Sequence, residues 1–500
     1  MCGNVRRQRE YEKRTHRGYN LSHHFARESL MTRHLFALCA LFALFATIAP
    51  LGATARAADA PPSAPRKPNI IVILADDVGY GEFGFQGLNK DIPTPNIDSI
   101  AANGVRFTNG YVSGPYCSPT RAGLMTGRYQ TRFGHEFNGG GGAGGKGFGL
   151  PLSETTIADR LKALGYATAA IGKWHLGGPP EFLPPKRGFD LFYGTVANTS
   201  YLNPPNFVDS TISPTEVRPI EDENFYTTDA YRQRAVDWLA QQKDKPFFLY
   251  LPFNAQHAPL QATPKYLERF KTIADEKRRN FAAIMSAMDD AVGAVLAQVR
   301  SMEQEENTLI FFFSDNGGPT QQTSSNNGPL RGVKATTSEG GVRIPFCVQW
   351  KGKIPAGVTY AKPIIQLDIL PTALTAAGGT IESAWKLDGV DLMPFLTGKN
   401  SAAPHETLYW RFGEQWAIRK GDWKLVASRI DKNVPRLINL AADIGEAKDL
   451  AAEQPGKLKE LTDAWKAWNA EQVEPLWKQP APAAARQRRA AGKAPAPAED

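Results

Sequence analysis

Four short runs along the chain are apolar almost without interruption and rich in Val, Ile, Phe and Tyr. They are NIIVILADD (69–77), YATAAIG (166–172), PFFLYLPF (246–253) and NTLIFFFSDNG (307–317). A continuous apolar run of this length, without polar alternation, predicts a strand buried on both faces. Helical periodicity lies between them. In SETTIADRLKALG (153–165), Ser153 stands where an N-cap is expected, Ile157, Leu161 and Leu164 share one face, and Gly165 stops the helix. A second helix is predicted through NFAAIMSAMDDAVGAVLAQV (280–299). Strands alternating with helices predict an α/β fold, a large mixed, mostly parallel sheet sandwiched by helices.

Past about residue 375 the pattern changes. LYWRFGEQWAIRKGDWKLVAS (408–428) alternates, is rich in aromatics, and has turn signals at Gly413 and Gly421-Asp422. A helical stretch, PGKLKELTDAWKAWNAEQ (455–472), follows it. Residues 68–375 are therefore expected to form one α/β domain and 376–478 a smaller C-terminal α+β domain with an antiparallel sheet. Residues 58–67 are a Pro/Ala linker, and 479–500 form a Pro/Ala/Arg tail of low complexity, expected to be disordered. The glycine-rich stretch 138–149 lacks the strand–glycine–helix context of a phosphate-binding loop and is read as a mobile loop.

The composition is that of a globular enzyme, and a mean hydropathy of −0.35 argues against a polytopic membrane protein. The formal charge of +8 suggests nucleic acid until it is located. Residues 1–57 carry +6 and 478–500 carry +3, so the body of the chain is close to neutral and a basic nucleic-acid face is not expected. The front is an address instead. After Met31 and Arg33, the run LFALCALFALFATIAPLGA leads to Ala55-Arg56-Ala57, a small-x-small cleavage pattern, with an uncleaved anchor as the alternative. This predicts export to the periplasm or beyond, with cleavage near Ala57 and no stable membrane partner. Residues 1–30 are patternless, and translation starting at Met31 would omit them. Cleavage leaves two cysteines, Cys117 and Cys347, which an exported protein could join in a disulfide.

Each apolar run ends in polar chemistry. The first ends in Asp76 and Asp77 and the last in Asp315 and Asn316. Lys173 and His175 follow the second, and His257 follows the third. In open α/β sheets ligands gather beyond the carboxyl ends of strands, so these residues are candidates for one site. Three carboxylates and an amide carbonyl make a hard oxygen set suited to Ca²⁺ or Mg²⁺. Each pair alone reads as a turn or cap; lying directly after buried strands, they require a counter-charge.

The segment Cys117-Ser118-Pro119-Thr120-Arg121 with the following Leu124-Met125-Thr126-Gly127-Arg128 resembles the modification signature of the type I sulfatases, Cys-x-Pro-x-Arg plus Leu-x-Thr-Gly-Arg. GKWHLG, RGFDLFYG, FNAQHAPL, FSDNGG and NGPLRGVKATTSEGGVRIPF resemble the family's other blocks, in order, over nearly the whole mature chain. The resemblance implies a sulfuric ester hydrolase in which a separate maturation enzyme oxidises Cys117 to formylglycine. It implies one Ca²⁺ (or Mg²⁺) held by Asp76, Asp77, residue 117, Asp315 and Asn316. Lys173, Lys334 and Arg121 would hold the sulfate and the nucleophile. His257 would protonate the departing alcohol and His175 would take a proton from the second hydroxyl, both titrating near neutrality. One position departs from the pattern: Ala335 follows Lys334 where the family commonly has glycine.

A helix beginning near Pro119 would bring Arg121 back towards residue 117 and add the anion affinity of its N-terminus. A phosphonate monoester or phosphodiester hydrolase on the same scaffold, or a non-catalytic anion-binding relative, are the alternatives. The polar, Asn- and Tyr-rich stretch 194–225 is compatible with a sulfated carbohydrate substrate; a small aryl or choline sulfate is the other possibility.

Overall fold

The four apolar runs form the middle of a nine-stranded sheet in the computed structural model, which describes residues 66–139 and 148–478. The leader and its cleavage point, most of the linker, most of the glycine-rich loop and the 479–500 tail lie outside the described residues. In chain order the strands are β1 (Asn69–Ala75), β2 (Val105–Phe107), β3 (Ala167–Ile171), β4 (Leu191–Thr195), β5 (Phe207–Asp209), β6 (Phe247–Pro252), β7 (Thr308–Ser314), β8 (Phe346–Gln349) and β9 (Val358–Tyr360). Across the sheet they run β9-β2-β8-β7-β1-β6-β3-β4-β5. β1 lies parallel to both neighbours, with Ile71 opposite Leu249 on one side and Ile310 on the other. β3 and β4 continue the parallel run, while β8 and β5 turn antiparallel towards the edges. The mixed, mostly parallel sheet is thus present.

Both faces of that sheet are covered. The main helices are α1 (Pro95–Ala102), α2 (Cys117–Thr126), α3 (Ile157–Ala163), α4 (Thr227–Ala240), α5 (Glu276–Ser301) and α6 (Ile369–Ala376). Alternate β1 side chains part company: Ile70, Val72 and Leu74 pack with α2, α3 and α6, and Ile71, Ile73 and Ala75 with α1, α4 and α5. Each large aliphatic side chain withdrawn this way contributes about 1.5–3 kcal/mol, which is why an unbroken apolar run is stable only here. α5 is longer than its apolar core because Asp275 caps it, accepting the Arg278 N–H at 2.6 Å. Among the described residues α5 alone is long and apolar enough to cross a membrane, yet 72% of its apolar window is buried inside the protein.

The start of α3 differs from expectation. Thr156, and not Ser153, is the cap: its hydroxyl accepts the Asp159 N–H at 3.1 Å while the Asp159 carboxylate accepts the Thr156 N–H at 2.9 Å. This reciprocal box satisfies two N–H groups, which Ser153, a turn earlier, has no partner to match. Gly165, at φ +89°, ends the segment in left-handed backbone as expected.

The C-terminal pattern forms an antiparallel sheet of β10 (Thr407–Phe412), β11 (Gln415–Lys420), β12 (Trp423–Ala427) and β13 (Arg436–Asn439), followed by α7 (Pro455–Asn469). Trp410, Ala417, Val426 and Ile438 pack with Tyr111, Val342 and Leu367, while Ile418, Leu425 and Leu437 pack with Leu461 of α7. After α7 the chain returns: the Val473 and Leu476 N–H groups donate to the carbonyls of Thr131 and Gly134, and the Trp477 indole donates to that of Phe137. Cys117 and Cys347 are both buried and free, so the disulfide alternative fails. Cys347 faces the layer packed with α1 and α5, whereas Cys117 sits beyond the strand ends beside Asp76.

Candidate active site

The carboxyl ends of four adjacent parallel strands meet the N-terminus of α2. Asp76 and Asp77 follow β1, Asp315 and Asn316 follow β7, Lys173 and His175 follow β3, and His257 follows β6. Cys117 is the first residue of α2, two positions earlier than the helix start expected near Pro119; the proline lies in the first turn, where its missing N–H costs nothing. The Asn138 side chain accepts the Ser118 N–H at 2.9 Å and so caps that turn. Cys117, Arg121, Lys173, Asp76, Asp77, Asp315 and Asn316 are all fully buried.

Charge is closely matched. Arg121 donates through Nε and Nη2 to Asp315 Oδ2 (3.1 and 2.8 Å), through Nη2 to Asp76 Oδ2 (3.0 Å) and through Nη1 to the Lys173 carbonyl (2.7 Å). Lys173 donates to Asp76, and Lys334 lies 2.7 Å from Asp77 Oδ1. Cys117 Sγ is 3.5 Å from Asp76 Oδ1 and 3.9 Å from Asp77 Oδ1. Cys117, Arg121, Lys173, Lys334, Asp76, Asp77 and Asp315 are thus brought into direct contact, Asn316 and His257 join them through Asp77, and His175 stands close enough to feel the charges of Lys173 and Arg121. The lysines rest on the aspartates, where an anion would compete for them.

A divalent cation fits this donor set. Oxygens of Asp76, Asp77 and Asp315 and the Cys117 sulfur lie within 4.8 Å of one another. Asn316 donates its amide to Asp77 Oδ1 at 2.8 Å, while its buried Oδ1 has no hydrogen-bond partner. An orphaned buried acceptor beside three carboxylates is what a hard cation would satisfy. His257 Nε2 also approaches Asp77, at 3.6 Å; its Nδ1 lies 2.6 Å from the Ala258 carbonyl, which makes Nδ1 the protonated nitrogen.

Burial and charge set the titration. Burial opposes charge on Asp76, yet Lys173 and Arg121 hold its carboxyl well below the usual range. Asp315 is pushed up to about 6 by burial and by the neighbouring Asp76 charge. Burial, with Asp315 and Asp76, pushes the Cys117 thiol up. The two histidines do not sit near neutrality as expected. Burial, then Lys334, lowers His257 to about 4, and burial, then Lys173 and Arg121, takes His175 well below its ordinary value. Both are neutral imidazoles at pH 7.

Several contributors carried no readable signal. His135 is buried, lowered by that burial to about 3, and shares a hydrogen bond with the Ser118 hydroxyl. Trp477 packs edge-on against His135 and Phe148, and Phe148 packs edge-on against His175 and tilted against His135. The Tyr201 hydroxyl bridges the carbonyls of Asn254 and His257 at 2.8 and 2.9 Å, fixing the loop that carries His257. Asn138 borders a glycine run that marks only a loop.

Fold and site together define an α/β enzyme built to hold an anionic ester against a side chain at a helix N-terminus. The chain belongs to the Sulfatase family, whose model matches residues 68–379, and it is a sulfuric ester hydrolase. It is 35% identical over 401 residues to the uncharacterized sulfatase YdeN of Escherichia coli (strain K12), covering 70% of this chain and 69% of that one. It is 34% identical over 383 residues to N-acetylgalactosamine-6-sulfatase of Canis lupus familiaris, covering 72% of each. The solved structure of Ps i-CgsB in complex with k-i-k-neocarrahexaose superposes with a TM-score of 0.76 at 33% identity, over 85% of this chain and 98% of that one.

Proposed function

We propose that this sulfatase removes a sulfate ester from a sulfated carbohydrate, using formylglycine made from Cys117 by a separate maturation enzyme and one bound Ca²⁺. The observation that carries the reading is the position of residue 117. It opens α2, its Sγ is 3.5 Å from Asp76 Oδ1 and within 4.8 Å of a His257 ring nitrogen, and Lys173, Lys334 and Arg121 are close enough to act on its charge. The carbohydrate is supported by two similar proteins, one named N-acetylgalactosamine-6-sulfatase and one solved with k-i-k-neocarrahexaose. The leader pattern ending at Ala57 supports export to the periplasm or beyond.

The chain's residues divide the work. An incoming sulfate displaces Lys173 and Lys334 from Asp76 and Asp77, so the ammonium groups turn to the sulfate oxygens. A hydroxyl of hydrated residue 117 attacks sulfur in line with the ester oxygen, oriented by Arg121 and the α2 N-terminus. His257 gives its proton to the departing alcohol. It must gain that proton on substrate binding, because the ester's negative charge raises a value otherwise near 4. His175, neutral at rest, is ready to take the proton of the second hydroxyl, which restores the aldehyde and releases sulfate. A cation held by Asp76, Asp77, Asp315, Asn316 and residue 117 would supply positive charge against the developing negative charge.

The test is release of sulfate from a panel of sulfated mono- and oligosaccharides beside p-nitrophenyl sulfate, phosphate and phosphonate esters. A sulfated saccharide should be turned over best. Preference for a phosphorus ester would replace the reading with a phosphonate monoester or phosphodiester hydrolase. The mass of the tryptic peptide spanning residue 117 should report the aldehyde.

A further inference from the structure

Lys334 reaches the site from a loop, and the residue after it is strained. Ala335 has φ +65°, left-handed backbone in which its Cβ crowds the following carbonyl. Something must hold it there, because a loop alone would relax. On one side the Ala335 N–H donates to the Pro115 carbonyl at 2.8 Å, two residues before Cys117. On the other, the Gln415 side chain at the start of β11 donates Nε2 to the Ala335 carbonyl at 3.0 Å. Gln415 is itself fixed: its Oε1 accepts the Arg429 N–H at 3.0 Å and the Ser428 hydroxyl at 3.3 Å, and the residue is 6% exposed. Arg429 donates to the Lys334 carbonyl at 3.4 Å, and the Thr337 hydroxyl to the Ala427 carbonyl at 3.2 Å. The C-terminal sheet thus grips the lysine loop through the backbone of residues 334 and 335 and the side chain of Thr337.

We propose that Gln415 is a positioning residue for Lys334: its amide clamps Ala335 in left-handed backbone and so aims the lysine ammonium at Asp77 and residue 117. The proposal rests on the sulfatase reading only for the part Lys334 plays in turnover. Glycine adopts this backbone freely, so an Ala335→Gly chain would not need the clamp.

The experiment compares the wild type, Gln415→Met, Ala335→Gly, their double variant, and Lys334→Ala with and without Gln415→Met by kcat, KM and thermal midpoint. Gln415→Met should lower kcat/KM at least tenfold, and in the Ala335→Gly background less than threefold. In a Lys334→Ala background it should cost nothing further. If Gln415→Met does not fold, Gln415→Glu, which keeps the length and the acceptor and loses the N–H, takes its place with the same expectations. Equal losses with and without the Ala335→Gly substitution, or an unchanged kcat/KM, would overturn the proposal. A wild type inert towards every sulfate ester would overturn the sulfatase reading instead. The midpoints would then decide Gln415 alone: a smaller drop in the Ala335→Gly background supports the clamp, and equal drops refute it.

Discussion

Arg121 shows how a buried charge is made tolerable in this site. All three of its guanidinium nitrogens are occupied, by Asp315, Asp76 and a carbonyl, with no exposed surface. Replacing it with methionine keeps the bulk and leaves two carboxylates short of their partner. In chelator-treated protein, Arg121→Met should lose about 3–5 kcal/mol in denaturant unfolding; a loss under about 1 kcal/mol would mean that the lysines suffice. Cys117→Ala, by contrast, should melt close to the wild type and lose turnover by a factor on the order of 10⁴ or more, measured as sulfate release. At this scale the groups that follow apolar strands were legible, because chemistry attached to a buried run has few bland explanations. Asn138, His135 and Gln415 were not. Each acts through a backbone group or a hydroxyl far away in sequence, and nothing near them in the chain marks the partner.

One carboxylate ties three elements of the α6 side together. Asp368 accepts the Ile365 N–H at 2.9 Å and the Val390 N–H at 2.8 Å, and faces His405 Nε2 at 2.7 Å on the approach to β10. Burial disfavours charge on His405, but the Asp368 charge and hydrogen bond outweigh it and raise its pKa above 6.5. A raised histidine contributes stability that is fully present below its unfolded value and is lost as pH rises through the folded one. Unfolding free energy should therefore fall from about pH 6.5 upward, and His405→Gln should flatten that slope in urea titrations between about pH 5.5 and 8.5; an unchanged slope would remove this pair as its source. Among the elements, the long core strands were legible from composition alone. The three-residue strands β2, β5 and β9, the last two of them the sheet's edges, are too short to show a period and are fixed by the neighbours they pair with. The true cap of α3 was readable as Thr156-x-x-Asp159, a box that outweighs a lone serine.

The whole molecule is organised around like charges that the protein alone only just balances. Loading the cation should relieve Asp315, which burial and the Asp76 charge push up, and fill the orphaned Asn316 acceptor. Chelation should lower the thermal midpoint as well as the activity, and Ca²⁺ should restore both; the stabilisation expected at a hundredfold excess over Kd is about 2.7 kcal/mol. A midpoint indifferent to chelator, Ca²⁺ and Mg²⁺ would argue against a metal here. Strand existence was legible at this scale, and strand order was not, because nothing in β1 says which later runs will flank it. That order also governs how the protein comes into being. Ile70 finds its neighbours only at Phe248 and Leu309. At roughly 5–20 residues per second of synthesis, the most apolar strand waits on the order of ten to forty seconds with both edges open. Contacts this distant along the chain make for slow folding and sticky intermediates. Refolding from denaturant should be multiphasic, with a yield that falls as protein concentration rises and recovers when a chaperone shields the waiting strand.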